Sequence, residues 1–225
     1  MPLNESDRLF LRNSLPFWEA LSEEQKHRLV TASASRRYSA GAILHSIGDC
    51  AGLFLLKTGE ARTYIVSREG REVTLYRLFP PEFCLFSASC MLKNIRFDVT
   101  IEAVKDTDTI LIPTYVYREL NQSCVKVAEF TNQLLSARLS EVMWLMEQIL
   151  FMSFDRRLAM YLLKRAGETG DGRIPATHEE IAKDLGSARE VVTRMLRYFQ
   201  DEGAVQLSRG AVTVADRKRL EIWSK

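Results

Sequence analysis

Arg189, Glu190 and Arg194 lie within six residues of one another in the stretch THEEIAKDLGSAREVVTRMLRYFQDEG, residues 177–203. Arginine can donate two parallel hydrogen bonds to guanine O6 and N7, and glutamate can accept one from cytosine N4. These residue types on one helix therefore suit the edges of base pairs. Glu190 and Arg194 are four residues apart, so they are also expected to pair with each other on one helix face. Thr193 suits a thymine methyl or a phosphate. Arg197 extends the basic face by one turn.

Such side chains read a groove only if a rigid element presents them, and the same stretch encodes that element. Thr177 followed by Glu180 fits a capping box, in which each residue satisfies an orphan backbone donor of the other. Ser187 followed by Glu190 has the same form. Ile181, Ala182 and Leu185 make the apolar side of a first short helix. Gly186 suits a tight turn that needs positive φ. In the second helix Val191, Met195, Leu196 and Phe199 are expected to face the core, which leaves Arg189, Glu190, Thr193, Arg194 and Arg197 on or near the other side. Gly203 is a stop signal. Two β-prone runs follow, residues 204–207 and 211–214, around the turn Ser208-Arg209-Gly210. A helix-turn-helix followed by a small hairpin wing, with Arg209 at its tip to meet a phosphate, points to sequence-specific DNA binding.

Composition bounds the alternatives. The chain has 225 residues, enough for one or two domains, and a net charge of only +2. From Ser153 onward it carries 14 Lys+Arg against 11 Asp+Glu, leaving 17 against 18 before that point, so the positive charge is biased toward the C-terminal part. No apolar run approaches the ~20 residues of a membrane span. The start MPLNESDRLFLRN lacks the layout of a signal peptide, so a cytoplasmic protein without a membrane partner is expected. Cys50, Cys84, Cys90 and Cys124 form no C-x-x-C pair, which argues against a zinc ribbon. Three scattered histidines, no nucleophile motif, no metal-ligand cluster and no glycine-rich phosphate loop argue against an enzyme. No catalytic or metal site is expected.

Three regions follow one another. Residues 1–37 read as mainly helical, anchored by Leu15, Phe17, Trp18, Leu21, Leu29 and Val30, with a helix start at Ser22. From Tyr38 to about Ile112, short β-prone runs alternate with glycine turns, the pattern of a β-sandwich or jelly roll. A short helix around residues 115–120 then leads into a long one, about 123–152. Along it Ala128, Asn132, Leu135, Leu139, Val142, Met146 and Ile149 recur by fours and threes, as in a heptad stripe. Such a stripe also serves an amphipathic helix packed on its own domain. A helix of ~30 residues spans ~45 Å, which is long for that role and favours a two-stranded coiled coil. Leu135, Leu139, Val142, Met146 and Ile149 are the expected dimer contacts. The expected fold class is α+β: a β-roll domain over 1–120, a dimerisation helix over 121–152 and a winged helix-turn-helix domain over 153–225.

In that order the parts resemble the CRP/FNR family of bacterial transcription regulators. The resemblance covers nearly the whole chain and is strongest in FMSFDRRLAMYLLKRA and THEEIAKDLGSAREVVTRML. It is visible in the roll as YSAGAILHSIGD and LFLLKTGEARTYIVSREGREVTLYRL. It implies a homodimer on palindromic double-stranded DNA, contact with RNA polymerase, and control by a small-molecule effector held in the roll. The family's R-E-x-x-x-R reading pattern falls here on Arg189, Glu190 and Arg194. The candidate DNA-contact set is Thr177, Ser187, Arg189, Glu190, Thr193, Arg194, Arg197 and Arg209.

The effector is left open. Cyclic-AMP-binding members carry a Gly-Glu pair followed by an Arg-Ser pair. The corresponding stretch here, PPEFCLFSASCMLKNIRFDVTIEA, lacks the first pair and places Phe97 and Asp98 near the second, where an aspartate would repel a phosphate. Val142 and Met143 stand where hydroxyl residues contact adenine, so cyclic AMP is not expected. An iron–sulfur cluster is not expected either, since cysteine is absent before Cys50. Haem would fall to His45 or His27, each more simply read as a packed or surface residue. The candidate effector-pocket residues are Phe83, Cys84, Phe86, Ser87, Cys90, Arg96, Met143, Trp144 and Glu147, with core packing the competing reading for the aromatic residues and methionine. Cys84 and Cys90 flank the effector segment and suit either a thiol switch or simple packing. A thiol- or haem-responsive regulator of the same fold stays open, as does a ligand-binding protein-interaction module that does not read DNA.

Overall fold

The computed structural model describes residues 1–46, 52–85 and 99–225. Phe86, Ser87, Cys90, Arg96 and the Phe97–Asp98 pair lie outside the described residues. The chain divides into two compact units, one of Met1–Ile65 with Leu75–Val142 and one of Val66–Thr74 with Met143–Lys225.

Two capping boxes open the first unit. Asn4 with Asp7 starts α1 (Glu5–Ser14), and Ser22 with Gln25 starts α2 (Glu23–Ala32). The helical reading of residues 1–37 stops short here, because Ala34–Tyr38 is a strand, β1. It pairs with β8 (Thr107–Ile112) in antiparallel register, Arg36 opposite Thr109. β2 (Ile43–His45), β3 (Leu53–Leu56), β4 (Ala61–Val66), β5 (Glu72–Leu78), β6 (Phe83–Cys84) and β7 (Thr100–Ala103) complete two four-stranded sheets, ordered β1-β8-β3-β6 and β2-β7-β4-β5. This is the expected roll.

The unbroken apolar run LFLL of β3 has a simple cause: all four residues are buried, two on each face. Phe54 and Leu56 point inward with Leu44, Tyr76, Leu78, Cys84 and Ile101 from both sheets. Leu53 and Leu55 point the other way, into a cluster with Leu11, Leu15, Phe17 and Leu29 of the N-terminal segment and with Tyr117 and Val127. The helices α3 (Thr114–Ser123) and α4 (Val125–Phe151) follow β8. The Tyr117 hydroxyl lies 2.8 Å from Thr131 Oγ1, joining the two helices, and burial pushes its pKa up to about 12.

α4 has two apolar sides. Val127 and Thr131 are buried, and Leu134 and Leu135 lean on the cluster below them. Further along, Leu139, Met143, Met146, Ile149, Leu150 and Phe151 are exposed, Leu139 at 63% and Phe151 at 81%. No helix among the described residues is long and apolar enough to cross a membrane.

The second unit is built on α5 (Phe154–Thr169), α6 (His178–Leu185), α7 (Arg189–Asp201) and α8 (Arg217–Trp223), with β9 (Arg173–Ile174), β10 (Val205–Ser208) and β11 (Ala211–Val214) as a sheet ordered β10-β11-β9. Leu158 and Leu162 of α5 meet Ile181 and Leu185 of α6, Val192, Leu196 and Phe199 of α7, and Leu220 of α8 in one core. Each fully buried aliphatic or aromatic side chain of that kind contributes ~1.5–3 kcal/mol. The core stripe of α7 is therefore 192, 196, 199. Val191 is half-buried, a correction of one position to the sequence reading. The wing strand begins at Val205 and ends at Ser208, one residue later than read from the sequence.

Candidate nucleic-acid interface

The first helix of the pair is capped as its sequence requires. The Thr177 side chain accepts from the Glu180 N–H at 3.2 Å, and the Thr177 N–H donates to Glu180 Oε2 at 2.6 Å. α6 ends at Gly186, which is left-handed at φ 60°, ψ 41°. The second capping box does not form. α7 begins at Arg189 with Ala188 as its N-cap and no side-chain bond to the cap. Ser187 instead gives its N–H to the Ala182 carbonyl at 2.9 Å, closing the end of α6.

Gly186 is constrained twice. Its φ disfavours any residue with a Cβ, and a Cβ there would lie 2.8 Å from Val73 Cγ2. Gly186→Ala is expected to cost about 1–2 kcal/mol for the backbone alone. The thermal midpoint should fall by about 2–4 °C per kcal/mol. An unchanged midpoint would show that the turn relaxes out of the left-handed region.

Val73 belongs to a segment that the sequence did not connect with this site. The tip between β4 and β5, Val66–Thr74, is part of the second unit. Thr74 Oγ1 donates to Asp184 Oδ1 at 2.8 Å, and the Tyr161 hydroxyl donates to Asp184 Oδ2 at 2.9 Å. Lys183 Nζ reaches Glu72 Oε1 at 2.9 Å. Asp184 is thus a buried carboxylate satisfied by hydroxyl donors. Only a local clue, an acid in the last turn of an apolar helix, could have hinted at it.

On the other side of α7 the charged residues stand together. Arg189, Glu190, Thr193, Arg194, Arg197, Tyr198 and Asp201 line a recess of about 550 Å³. The core residues Val192, Leu196 and Phe199 hold the opposite side of the helix down, which turns these side chains outward. Arg189, Glu190, Arg194 and Arg197 are exposed, and none forms an ion pair with a described residue. The expected Glu190–Arg194 pair is therefore not made, and both side chains remain available at the surface. A second recess, of about 420 Å³, is lined by Thr177, His178, Glu179, Arg189, Ser208 and Gly210, so Arg189 borders both. The wing turn carries Arg209, exposed, beside Gly210 at φ 73°.

His178 was not singled out in the sequence. Its Nδ1 lies 2.9 Å from Thr193 Oγ1, linking α6 to the charged face of α7. Burial first, then the charges of Arg189 and Arg197, lower its pKa below the usual histidine value.

The residues expected in an effector pocket fall in different settings. Phe83 and Cys84, neighbours on β6, face opposite ways: Phe83 packs with Phe130 at 5.3 Å between ring centroids, and Cys84 is fully buried among the roll's interior residues. Met143 and Trp144 are exposed on α4, as is Glu147. A residue missed in the sequence is Arg138, buried on α4. Its guanidinium sits 4.5 Å above the Tyr76 ring and bonds both Glu141 oxygens at 2.9 and 2.8 Å. His45 is buried in β2 and His27 is exposed on α2. Among the described residues no group of three or more His, Cys, Asp or Glu is arranged to hold a metal ion.

Two family models match the chain. The family model of the Crp-like helix-turn-helix domain matches residues 156–223, and that of the cyclic nucleotide-binding domain matches residues 35–123. A crystal structure from Eubacterium rectale, described as a transcriptional regulator of the CRP/FNR family, is 49% identical over 94% of this chain and 99% of that one, with a TM-score of 0.90. The cyclic AMP receptor protein of Thermus thermophilus is 28% identical over 92% of this chain and 95% of its own. The transcriptional activator protein FnrA of Stutzerimonas stutzeri is 26% identical over 80% of this chain and 76% of its own.

Proposed function

Because the chain belongs to the CRP/FNR family of transcriptional regulators, not a family of enzymes, we propose that it works as an effector-controlled homodimer on an inverted-repeat operator. The observation that carries this reading is the cluster of exposed charged side chains on α7, which make no ion pair with a described residue and are held outward by the helix's buried face. In this reading Arg189 and Arg194 meet guanines and Glu190 meets a cytosine amino group. Thr177, Ser187, Thr193, Arg197 and Arg209 meet phosphates or base methyls and fix the register.

The exposed apolar side of α4, from Leu139 to Phe151, supports the dimer. A stripe of that size on one chain is a partner surface in waiting. Leu135, Leu139, Val142, Met146 and Ile149 would meet their copies across a two-fold axis, placing two recognition helices about one DNA turn apart.

The roll would hold a small molecule other than cyclic AMP. Its binding would favour one of two dimer states with different DNA affinity. Contact with RNA polymerase and a cytoplasmic location follow from this role.

The test is selection of bound sequences from random DNA with purified, reduced protein, in buffer and again in cell extract. Enrichment of an inverted repeat in either condition is the expected result. Enrichment only in extract would identify an obligatory effector. No enrichment in either, from folded dimer, would refute DNA reading and favour a winged helix that binds protein.

A further inference from the structure

The hydrogen bond between His178 and Thr193 ties the base of one helix to the reading face of the next. Thr193 lines the recess of Arg194 and Arg197, His178 lines the recess shared with the wing residues Ser208 and Gly210, and Arg189 borders both. His178 is half-buried, and among the described residues its ring has one hydrogen-bond partner, through Nδ1. The second ring nitrogen is left over. We propose that His178 is a further DNA-contact residue, one that meets a backbone phosphate in its protonated form, so that operator binding takes up a proton. This rests on the DNA-reading function proposed above.

The electrostatics decide the direction. In the free protein, burial and the guanidinium groups of Arg189 and Arg197 oppose a charge on the ring. The acids lining the two recesses are Glu179 on the same helix and Glu190 and Asp201 on α7. Glu180, two residues on, is engaged in the Thr177 cap. The ring is therefore neutral near pH 7. A bound duplex changes each contribution in one direction: phosphates neutralise the arginines that repel the proton, and they attract it directly. The Thr193 bond survives protonation with its sense set, since imidazolium can only donate through Nδ1. The ring stays oriented while its other nitrogen gains a charged N–H. Linkage then makes affinity rise as pH falls through the histidine range.

The experiment is fluorescence anisotropy on the selected operator at constant salt, from about pH 8 to about pH 6. Wild type should tighten as pH falls, by at most about tenfold per subunit for each unit by which binding raises the His178 pKa. His178→Gln keeps an amide for Thr193 but cannot titrate, and should bind with little pH dependence. His178→Arg should bind tightly at both ends of the range and steepen the salt dependence by about one phosphate contact per subunit. His27 and His45 lie in the first unit, so replacing either with Gln should leave the wild-type pH slope intact. A His178→Gln variant that retains the wild-type slope, or a wild type without one, overturns the inference while leaving DNA reading in place. Wild type that binds no probe at any pH, in buffer or with cell extract added, overturns both.

Discussion

Alanine in place of Arg194 weakens binding to the selected operator by about 1–3 kcal/mol per half-site and relaxes discrimination at one G·C pair. Removing its guanidinium costs a bidentate contact and leaves the rest of the helix in register. The fold should be unaffected, because Arg194 is exposed and makes no ion pair with a described residue. Repeating the selection with the variant therefore separates reading from positioning. Degeneracy at one position per half-site identifies Arg194 as a base contact. A uniform loss across all sequences would make it a phosphate contact instead. Unchanged affinity and unchanged preference would remove it from the interface.

Glutamate in place of both Leu139 and Ile149 yields a monomer whose operator affinity falls by about 10²–10⁴-fold, the range of the avidity gained when two linked sites engage together. The two side chains are 63% and 44% exposed on the isolated chain, so the charges bring no burial cost within one subunit. In a paired helix they would place four carboxylates along one seam. Size-exclusion chromatography with light scattering reads the oligomeric state, and anisotropy with a half-site and a full-site probe reads the avidity. A double variant that stays dimeric would assign the exposed stripe of α4 to another partner.

The DNA-reading part was the most legible because its signals are short-range. Thr177 and Glu180 are three residues apart, and Gly186 marks a turn that few other residues can make. Ser187 misled for a related reason: serine followed three residues later by glutamate is a start signal, but here the backbone of Ser187 is spent closing α6. The start of α7 then moved to Arg189 and the inward valine from 191 to 192. β1 was missed because it lies at the end of its sheet, has only a single bridge to Pro2 on its outer side, and carries two arginines in a half-exposed pattern. β9, of two residues, has no room for a period to show. α8 was missed because it is seven residues long and meets the core only through Leu220, fully buried, and Trp223, which lies 4.8 Å from the Phe199 ring. His178, Arg138 and Asp184 owe their roles to partners brought close by folding, Asp184 to one 110 residues away. A separation of that size lies outside any local window.

The placement of residues 66–74 sets a limit on modularity. A winged helix cut free at Ser153, or grafted onto another sensor, would lose the Thr74 hydroxyl from the Asp184 carboxylate, the Glu72 partner of Lys183 and the Val73 side chain from the face of Gly186. The boundary that matters for recombination is thus not a single point on the chain. A functional exchange between relatives would have to carry a nine-residue insert along with the C-terminal segment, and sequence drift at the tip and in α6 would be constrained to move together.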